Sequence, residues 1–240
     1  YIRAQKPKRP AVVIAYDSRH HSREFARTAA EVLAANNIHV YFFRQLRPTP
    51  LLSFAVRHLG ATAGVVITSS HNPKEWNGYK VCWDDGAQIV PPHDKGIIAE
   101  VEKITSVRQI RRDHFNEALD KKRIEIIGAE MDRAYLSDIG NLSLHGETIR
   151  RVADDFKIVY SPLHGTGSRI IPKALRQWGF RNVFVVPSQA RPDGSFPTVK
   201  YPNPEYPEAM AEVIALAKKH NGHIVMASDP DADRLGVAVR

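Results

Sequence analysis

Cysteine is almost missing from this sequence: Cys82 stands alone among 240 residues. One thiol excludes an internal disulfide framework, and Cys82 is expected only to pack beside Trp83. Long apolar runs are missing as well. No segment approaches the roughly 18 uninterrupted apolar residues of a membrane span, and the N-terminus carries no signal-like pattern. No membrane partner is therefore expected, and the default compartment is the cytoplasm. No pair of histidines stands at zinc-ligand spacing, no zinc-finger spacing occurs, and there is no aromatic-plus-basic RNA motif. No internal repeat is visible by motif.

What is present is ordinary in amount: 43% hydrophobic and 25% charged residues, the balance of a globular chain long enough for one large or two ordinary domains. The formal charge of +8 favours anionic partners. The basic residues are scattered, however, and short clusters such as Arg111-Arg112 and Lys121-Lys122-Arg123 lie near helical patterns as solvated faces. Phosphorylated small molecules fit this charge better than nucleic acid, which is not expected as a partner.

Apolar runs and helical stripes alternate along the chain. Strands are expected at 11–16, 39–43, 63–67, 79–83, 88–90, 156–160, 183–186, 224–226 and 235–239. Tyr79–Trp83 and Gln88–Val90 are joined through Asp84-Asp85-Gly86 as a hairpin. A helix capped by Ser22 runs to about Ala35 with Phe25, Ala29, Val32 and Leu33 on its core face. Thr49 caps a second helix, with Pro50 at its first position, an apolar stripe of Leu52, Ala55, Val56 and Leu59, and Gly60 at its end. A third presents Ile97, Ile98, Val101 and Ile104. Residues 106–122 give no clear pattern, and a helix follows from Glu130 to about Leu142. Ser168 caps a helix carrying Ile171, Leu175 and Trp178, and another spans Glu208–Lys219. The loop 187–207 is long and proline-rich. Strand–helix alternation predicts an α/β fold with mainly parallel pairing, divided near Arg150 into units 1–150 and 151–240.

Two stretches carry the chemistry. The buried run Ala63–Ile67 leads into Thr68-Ser69-Ser70-His71-Asn72-Pro73, and ligands of open α/β sheets bind at the carboxyl ends of such strands. The second stretch, Ser228-Asp229-Pro230-Asp231-Ala232-Asp233-Arg234, follows the run Ile224-Val225-Met226. Alternate side chains of an extended segment point the same way, so Asp229, Asp231 and Asp233 can converge. Oxygen-only ligands select Mg²⁺, Mn²⁺ or Ca²⁺. An EF-hand loop is excluded because Arg234 and Arg240 occupy its glycine and glutamate positions. Thr68 and Asn72 likewise stand where a hydrolase nucleophile elbow needs glycines around Ser70. A serine that carries a phosphoryl group needs a divalent cation and a cationic donor near the oxygens. The aspartates supply a site for the first, and Lys80 or Arg234 the second. Gly165-Thr166-Gly167 opens a helix and could bind phosphate at its N-terminus, but it lacks the ending of a P-loop and reads rather as a structural turn. Asp17 and Arg19, at the end of the first strand, could form a structural salt bridge or line the cleft, and the structural reading is preferred. For His71, His93 and His164, loop hydrogen bonding and catalysis are equally open.

Taken together, Tyr16-Asp17-Ser18-Arg19 with Ser22, the Thr68–Lys80 block, Ser161–Gly167 and Ser228–Arg234 resemble the α-D-phosphohexomutase superfamily, the phosphoglucomutase and phosphomannomutase enzymes. Pro192-Asp193-Gly194 and Pro202-Asn203-Pro204-Glu205 support the match. The resemblance implies two consecutive three-layer α/β domains with mainly parallel mixed sheets, the first bearing a phosphoserine loop and the second a metal loop. It implies that Ser70 is phosphorylated and that one Mg²⁺ is held by Asp229, Asp231, Asp233 and a phosphate oxygen on Ser70. It also implies that Lys80 is an acid/base lysine and that Arg234 contacts the phosphate region, with His71 counted beside it. The implied reaction interconverts hexose 1-phosphate and hexose 6-phosphate through a hexose 1,6-bisphosphate, which also serves as activator. Glucose is the expected sugar, because the longer serine block and Asp85-Gly86-Ala87-Gln88-Ile89 resemble the glucose and pentose members. A phosphopentomutase, a phosphomannomutase or a noncatalytic sugar-phosphate-binding module are the alternatives. The family's arginine-bearing N-terminal loop falls upstream of Tyr1, and its third and fourth domains fall after Arg240. The chain, which starts at Tyr1 rather than Met, is thus expected to be a fragment with little turnover of its own. Its oligomeric state is left open.

Overall fold

The computed structural model describes residues 1–240. The first sheet contains β1 (Ala11–Tyr16), β2 (His39–Phe43), β3 (Ala63–Ile67), β4 (Tyr79–Cys82) and β5 (Ile124–Ile127), in the order β4-β3-β1-β2-β5. All its pairings are parallel except β3–β4, which places Val66 opposite Lys80. The second sheet contains β6 (Lys157–Ser161), β7 (Asn182–Val185), β8 (Ile224–Ser228) and β9 (Leu235–Val239), in the order β7-β6-β8-β9, with β8–β9 antiparallel. The expected fold class, two α/β units with mixed, mainly parallel sheets, is what the chain adopts.

Helices on both faces explain why the inner strands are continuous apolar runs rather than alternating ones. In the first unit α1 (Ser22–Ala35) and α2 (Thr49–His58) cover opposite faces, and β1 and β3 are buried along their whole length. α3 (His93–Glu102) lies to one side. α4 (Phe115–Asp120) joins α1, and α5 (Ala129–Gly140) joins α2. α6 (Gly146–Val152) connects the units, so residue 150 falls inside a helix. In the second unit α7 (Ile171–Gln177) covers one face, and α8 (Pro207–His220) covers the other. No helix is long and apolar enough to cross a membrane.

Several local expectations are corrected. Phe25 is 51% exposed, and the buried stripe of α1 is Ala26, Ala30 and Ala34. Small side chains there let the helix lie close on β1, and the aromatic ring is rotated outward. Ser22 does not cap α1; left-handed His21 precedes the helix, and the Ser22 hydroxyl donates to Asp17 Oδ1 at 2.6 Å. Thr49 is not a cap either, since Pro48 holds that position. Likewise Ser168 lies in a 3-10 turn, where its hydroxyl donates to the Gly165 carbonyl. Cys82 and Trp83 face opposite sides of the sheet, as neighbours on an extended chain must. Gln88–Val90 forms no strand, only a bridge from Cys82 to Gln88; the Pro91-Pro92 pair that follows has no amide to extend a ladder. α3 buries nothing, with Ile98 and Val101 exposed. Within 106–122 the chain folds into a 3-10 turn and α4, and β5 follows.

Candidate active site

Both chemistry-bearing loops leave a parallel strand and return as an antiparallel edge strand. The serine loop leaves β3 and closes where the Thr68 amide donates to the Gly78 carbonyl at 3.1 Å. A Cβ on Gly78 would lie 2.5 Å from the Thr68 carbonyl oxygen, so this closure needs glycine. Ser70 sits inside the loop at φ 52°, a left-handed conformation that costs an L-residue roughly 1 kcal/mol or more unless its surroundings hold it. They do. The Ser70 amide donates to Thr68 Oγ1 (2.9 Å), which in turn donates to Asp17 Oδ2 (2.8 Å). The Ser70 carbonyl accepts from Arg19 Nη2 at 2.7 Å.

The strain points the hydroxyl at the other unit. Ser70 Oγ donates to Asp229 Oδ2 at 2.8 Å, across 159 residues of sequence. Asp229, Asp231 and Asp233 converge as expected, with ligand oxygens within 4.8 Å of one another. Asp229 and Asp231 are buried. The loop is braced from behind by the Thr166 amide and hydroxyl, which both donate to the Pro230 carbonyl at 2.8 and 2.9 Å. A Cβ on Gly165 would collide with the Pro230 backbone. Gly165-Thr166-Gly167 is thus a buttress, in keeping with its reading as a structural turn.

Lys80 reaches the acidic loop from β4, with Nζ 2.8 Å from Asp231 Oδ2 and 3.0 Å from Asp233 Oδ2. Burial works to lower its ammonium, but these two carboxylates outweigh burial and hold it above the usual lysine range. Asp231 is raised by burial but pulled below the usual range by Lys80 and by the Thr49 hydroxyl. Asp229 receives no cation of its own. Burial, then the charges of Asp231 and Asp233, push it up to about 8. A carboxyl pushed that high beside two further acidic side chains marks a site short of positive charge.

Asp231 Oδ1 sharpens that point, being buried without any hydrogen-bond partner. An orphaned, inward-facing carboxylate oxygen among two other carboxylates and a serine hydroxyl fits a hard divalent cation such as Mg²⁺. Around this centre, Arg234 donates its amide to Asp229 Oδ1 (3.1 Å) and its guanidinium to Glu205 Oε1 (3.1 Å). The Arg234 side chain is 43% exposed. His71 Nδ1 lies 3.4 Å from Ser70 Oγ, and burial followed by Arg234 lowers its pKa. That shift favours the neutral imidazole, an acceptor or donor beside the serine. His93 and His164 lie apart from the site, His93 bonding Tyr1 and His164 bonding Thr198.

Two residues gathered here were not read from sequence as site residues. Thr49, at the start of α2, donates its amide to the Asp231 carbonyl (2.9 Å) and its hydroxyl to Asp231 Oδ2 (2.7 Å). Nothing local signals this, because the partner is 182 residues away. Arg19, read as half of a salt bridge, does sit 3.2 Å from Asp17. It also donates to the carbonyls of Ser70, Asn72, Pro73 and Trp76 at 2.6–3.0 Å.

Comparison with known proteins now bears on this geometry. Sequence profiles described as phosphoglucomutase/phosphomannomutase, alpha/beta/alpha domain I and domain II, match residues 1–108 and 133–240. The chain belongs to the phosphoglucomutase/phosphomannomutase family. It is 39% identical to a phosphopentomutase of Homo sapiens over 96% of its own length and 38% of that protein's. It is 38% identical to a phosphoglucomutase of Staphylococcus haemolyticus over 98% of its own length and 42% of that protein's. It superposes on the solved structure of a phosphoglucomutase/phosphomannomutase family protein from Burkholderia thailandensis with a TM-score of 0.71 at 25% identity. That match covers 99% of this chain and 48% of the other. The chain therefore spans less than half the length of these relatives, and the serine and aspartate loops both lie within the matched residues. Both of these curated relatives are phosphomutases, that is, isomerases.

Proposed function

We propose that the protein is a phosphohexomutase that interconverts sugar 1-phosphate and sugar 6-phosphate, with glucose as the preferred sugar, through a phosphoserine at Ser70 and a bisphosphate intermediate. The observation that carries this reading is the hydrogen bond from Ser70 Oγ to Asp229. It sets a strained nucleophilic hydroxyl against the edge of a three-carboxylate cluster contributed by the other unit. Mg²⁺ held by Asp229, Asp231, Asp233 and an oxygen on Ser70 would offset the negative charge of the transferred phosphoryl group. In accepting that group the Ser70 hydroxyl loses its proton, and the acceptors within reach are Asp229 Oδ2 and, farther off, His71 Nδ1.

Lys80 serves as proton donor in this arrangement, since its two carboxylate partners keep it charged. To act as a base it first has to leave them. Arg234, anchored through its amide and with a part-exposed guanidinium paired to Glu205, is assigned to the phosphate or sugar-phosphate side of the cleft, together with His71. The substrate is a sugar phosphate and the compartment the cytoplasm. Units 1–150 and 151–240 are proposed as domains I and II of the family. Turnover is proposed of the whole protein, and the 240-residue chain by itself is expected to bind Mg²⁺ while turning over little.

Choice of sugar has a second reading. The similarity to a phosphopentomutase is as close as that to a phosphoglucomutase, which favours a pentose phosphate equally. Purified protein assayed with glucose, mannose and ribose 1-phosphates in parallel, each with its bisphosphate, decides between them. Incubation with glucose 1,6-bisphosphate followed by intact-mass analysis tests the core reading. A gain of one phosphate on the Ser70 peptide is expected, lost in Ser70→Ala with the fold retained. A Ser70→Ala protein that keeps wild-type turnover would refute it.

A further inference from the structure

Arg19 is an expensive residue to bury. Its side chain is fully inaccessible, as is that of Asp17, its counter-ion, and a buried charge persists only where pairing and hydrogen bonds compensate it. The compensation is one-sided: both terminal nitrogens are spent on serine-loop carbonyls, with Nη2 on Ser70 and Asn72 and Nη1 on Pro73 and Trp76. Asp17 holds the other end of the same residue, through Thr68 Oγ1 to the Ser70 amide. Ser70 is thus gripped at both its N–H and its C=O, in the conformation that it would not adopt alone.

The second unit closes this arch from behind with a segment that lies outside the metal loop. The Phe196 ring is 5.1 Å from the Arg19 guanidinium carbon, and Phe196 is buried. Ser195 Oγ bonds His20 Nε2 at 3.0 Å. Gly194 presses on the same turn so closely that a Cβ there would lie 2.6 Å from the His20 nitrogen and 2.7 Å from the Ser18 oxygen.

We propose that Arg19 and Phe196 form a positioning pair that makes the placement of Ser70 depend on the seating of the second unit's 194–196 turn. This rests on the phosphoryl-carrier reading of Ser70. Docking of the two units then does two things at once: it brings Asp229 to the serine, and it fixes the serine loop that must meet it. Neither residue touches substrate; both act through the backbone of Ser70.

The test uses three variants of the protein: Arg19→Lys, which keeps the charge but loses the planar fork, Phe196→Leu, which keeps apolar volume but loses the ring, and Gly194→Ala, which pushes the turn away. Three quantities are read. They are single-turnover transfer from glucose 1,6-bisphosphate to Ser70, Mg²⁺ affinity measured with the metal alone, and amide hydrogen exchange of peptides 68–78 and 228–235. Misplacement by about an ångström costs on the order of 10²-fold in rate. Transfer should therefore fall about 100-fold in Arg19→Lys and about tenfold in the other two, with the half-saturating bisphosphate concentration unchanged within about threefold. Exchange should rise at least about tenfold in 68–78 only, and Mg²⁺ affinity should stay within about twofold. Wild-type transfer and exchange in both Gly194→Ala and Phe196→Leu would overturn the proposal, even if Arg19→Lys fails to fold. Equal losses in Mg²⁺ affinity and in 228–235 protection would also overturn it, because they mark general loosening. If wild-type protein takes no phosphate on Ser70, the carrier reading fails, and the exchange pattern still decides the positioning role.

Discussion

The two loops of the site occupy the same place in two sheets of the same design. Read from the antiparallel edge, the first sheet runs β4-β3-β1-β2 and the second β9-β8-β6-β7. In each, the chemistry lies between the third parallel strand and its edge partner, and is supported by the turn that follows the neighbouring first strand. The supports differ. Asp17 and Arg19 hold the serine loop with buried charge, through four backbone carbonyls. Gly165 and Thr166 hold the aspartate loop by close backbone approach, with no charge involved. The difference follows from what each loop presents. The loop bearing three carboxylates already takes a cation, Lys80, from the other unit, and its own unit braces it through the backbone without adding charge. A loop bearing a neutral hydroxyl in a strained conformation tolerates a buried ion pair behind it, and the fixed charge gives a directional grip.

The largest effect should come from removing charge at the shared centre. Asp231→Asn removes the negative charge that Lys80 and Thr49 share and leaves the largely buried Lys80 ammonium with Asp233 as its one carboxylate partner, at a cost of about 3 kcal/mol. Turnover should fall on the order of 10³-fold with loss of Mg²⁺ binding. Calorimetric Mg²⁺ titration and a coupled assay check both. An Asp231→Asn protein with normal Mg²⁺ affinity would show that the acidic loop is only a salt-bridge partner for Lys80.

A matched pair of glycine substitutions sets the two supports against each other. Gly165→Ala drives a methyl into the Pro230 backbone, and Gly78→Ala drives one against the Thr68 carbonyl; each should cost about 1–3 kcal/mol in thermal or denaturant unfolding. Their functional signatures should be opposite. Gly165→Ala is expected to weaken Mg²⁺ binding about tenfold. Gly78→Ala should leave Mg²⁺ binding nearly unchanged and slow phosphoryl transfer to Ser70. Identical signatures would mean that the loops respond as one body, and that the comparison of their supports has no functional content.

Protonation offers a gentler probe. Asp229 is pushed up to about 8 in the metal-free protein, far above a free carboxyl. Below that pH, Mg²⁺ binding has to displace a proton, so apparent affinity should rise about tenfold per pH unit toward 8 and level off above it. The sign for stability is the reverse of the usual carboxylate case. A folded-state pKa above the unfolded one means that the folded protein holds the extra proton between about 4 and 8. Metal-free stability therefore falls as pH rises through that window, and saturating Mg²⁺ should reverse the trend. Melting curves at pH 5.5, 6.5 and 7.5, with and without Mg²⁺, check the prediction. In Asp229→Asn the metal-free slope should flatten.

Much of this was legible in the sequence, and the reasons are physical. Fully buried strands are continuous apolar runs, so β1, β3, β6 and β8 could be placed closely. Three aspartates on alternate positions after such a run have few alternatives to converging. What failed depended on partners remote in sequence. Phe25 satisfies a helical stripe as well as Ala26 does, and only the close approach of α1 to β1 selects the alanines. β5 could not be seen because Ile124–Ile127 is short and follows a polar stretch. Arg19 was recognised as paired, but the four carbonyls it serves carry no side-chain signal at all.

Thr49 supplies the smallest and most discriminating test. Its position before Pro50 suits a helix cap, and a lost cap costs about 1 kcal/mol whatever the rest of the protein does. The structure instead gives its hydroxyl to Asp231 across the cleft, and a hydrogen bond to a charged group is worth about 1.5–3 kcal/mol. The two roles predict different double-mutant cycles. If Thr49 were a cap, Thr49→Val would destabilise wild type and Asp231→Asn equally. If it is a strut between the units, Thr49→Val costs about 1–2 kcal/mol in wild type and much less in Asp231→Asn. The coupling should exceed about 1 kcal/mol in denaturant unfolding. The backbone bond from the Thr49 amide to the Asp231 carbonyl survives both substitutions, so the apposition of the units is retained and the cycle isolates the side-chain contact. Zero coupling would remove the Thr49 hydroxyl from the site and leave Ser70 and Lys80 as the first unit's side-chain contacts to the acidic loop.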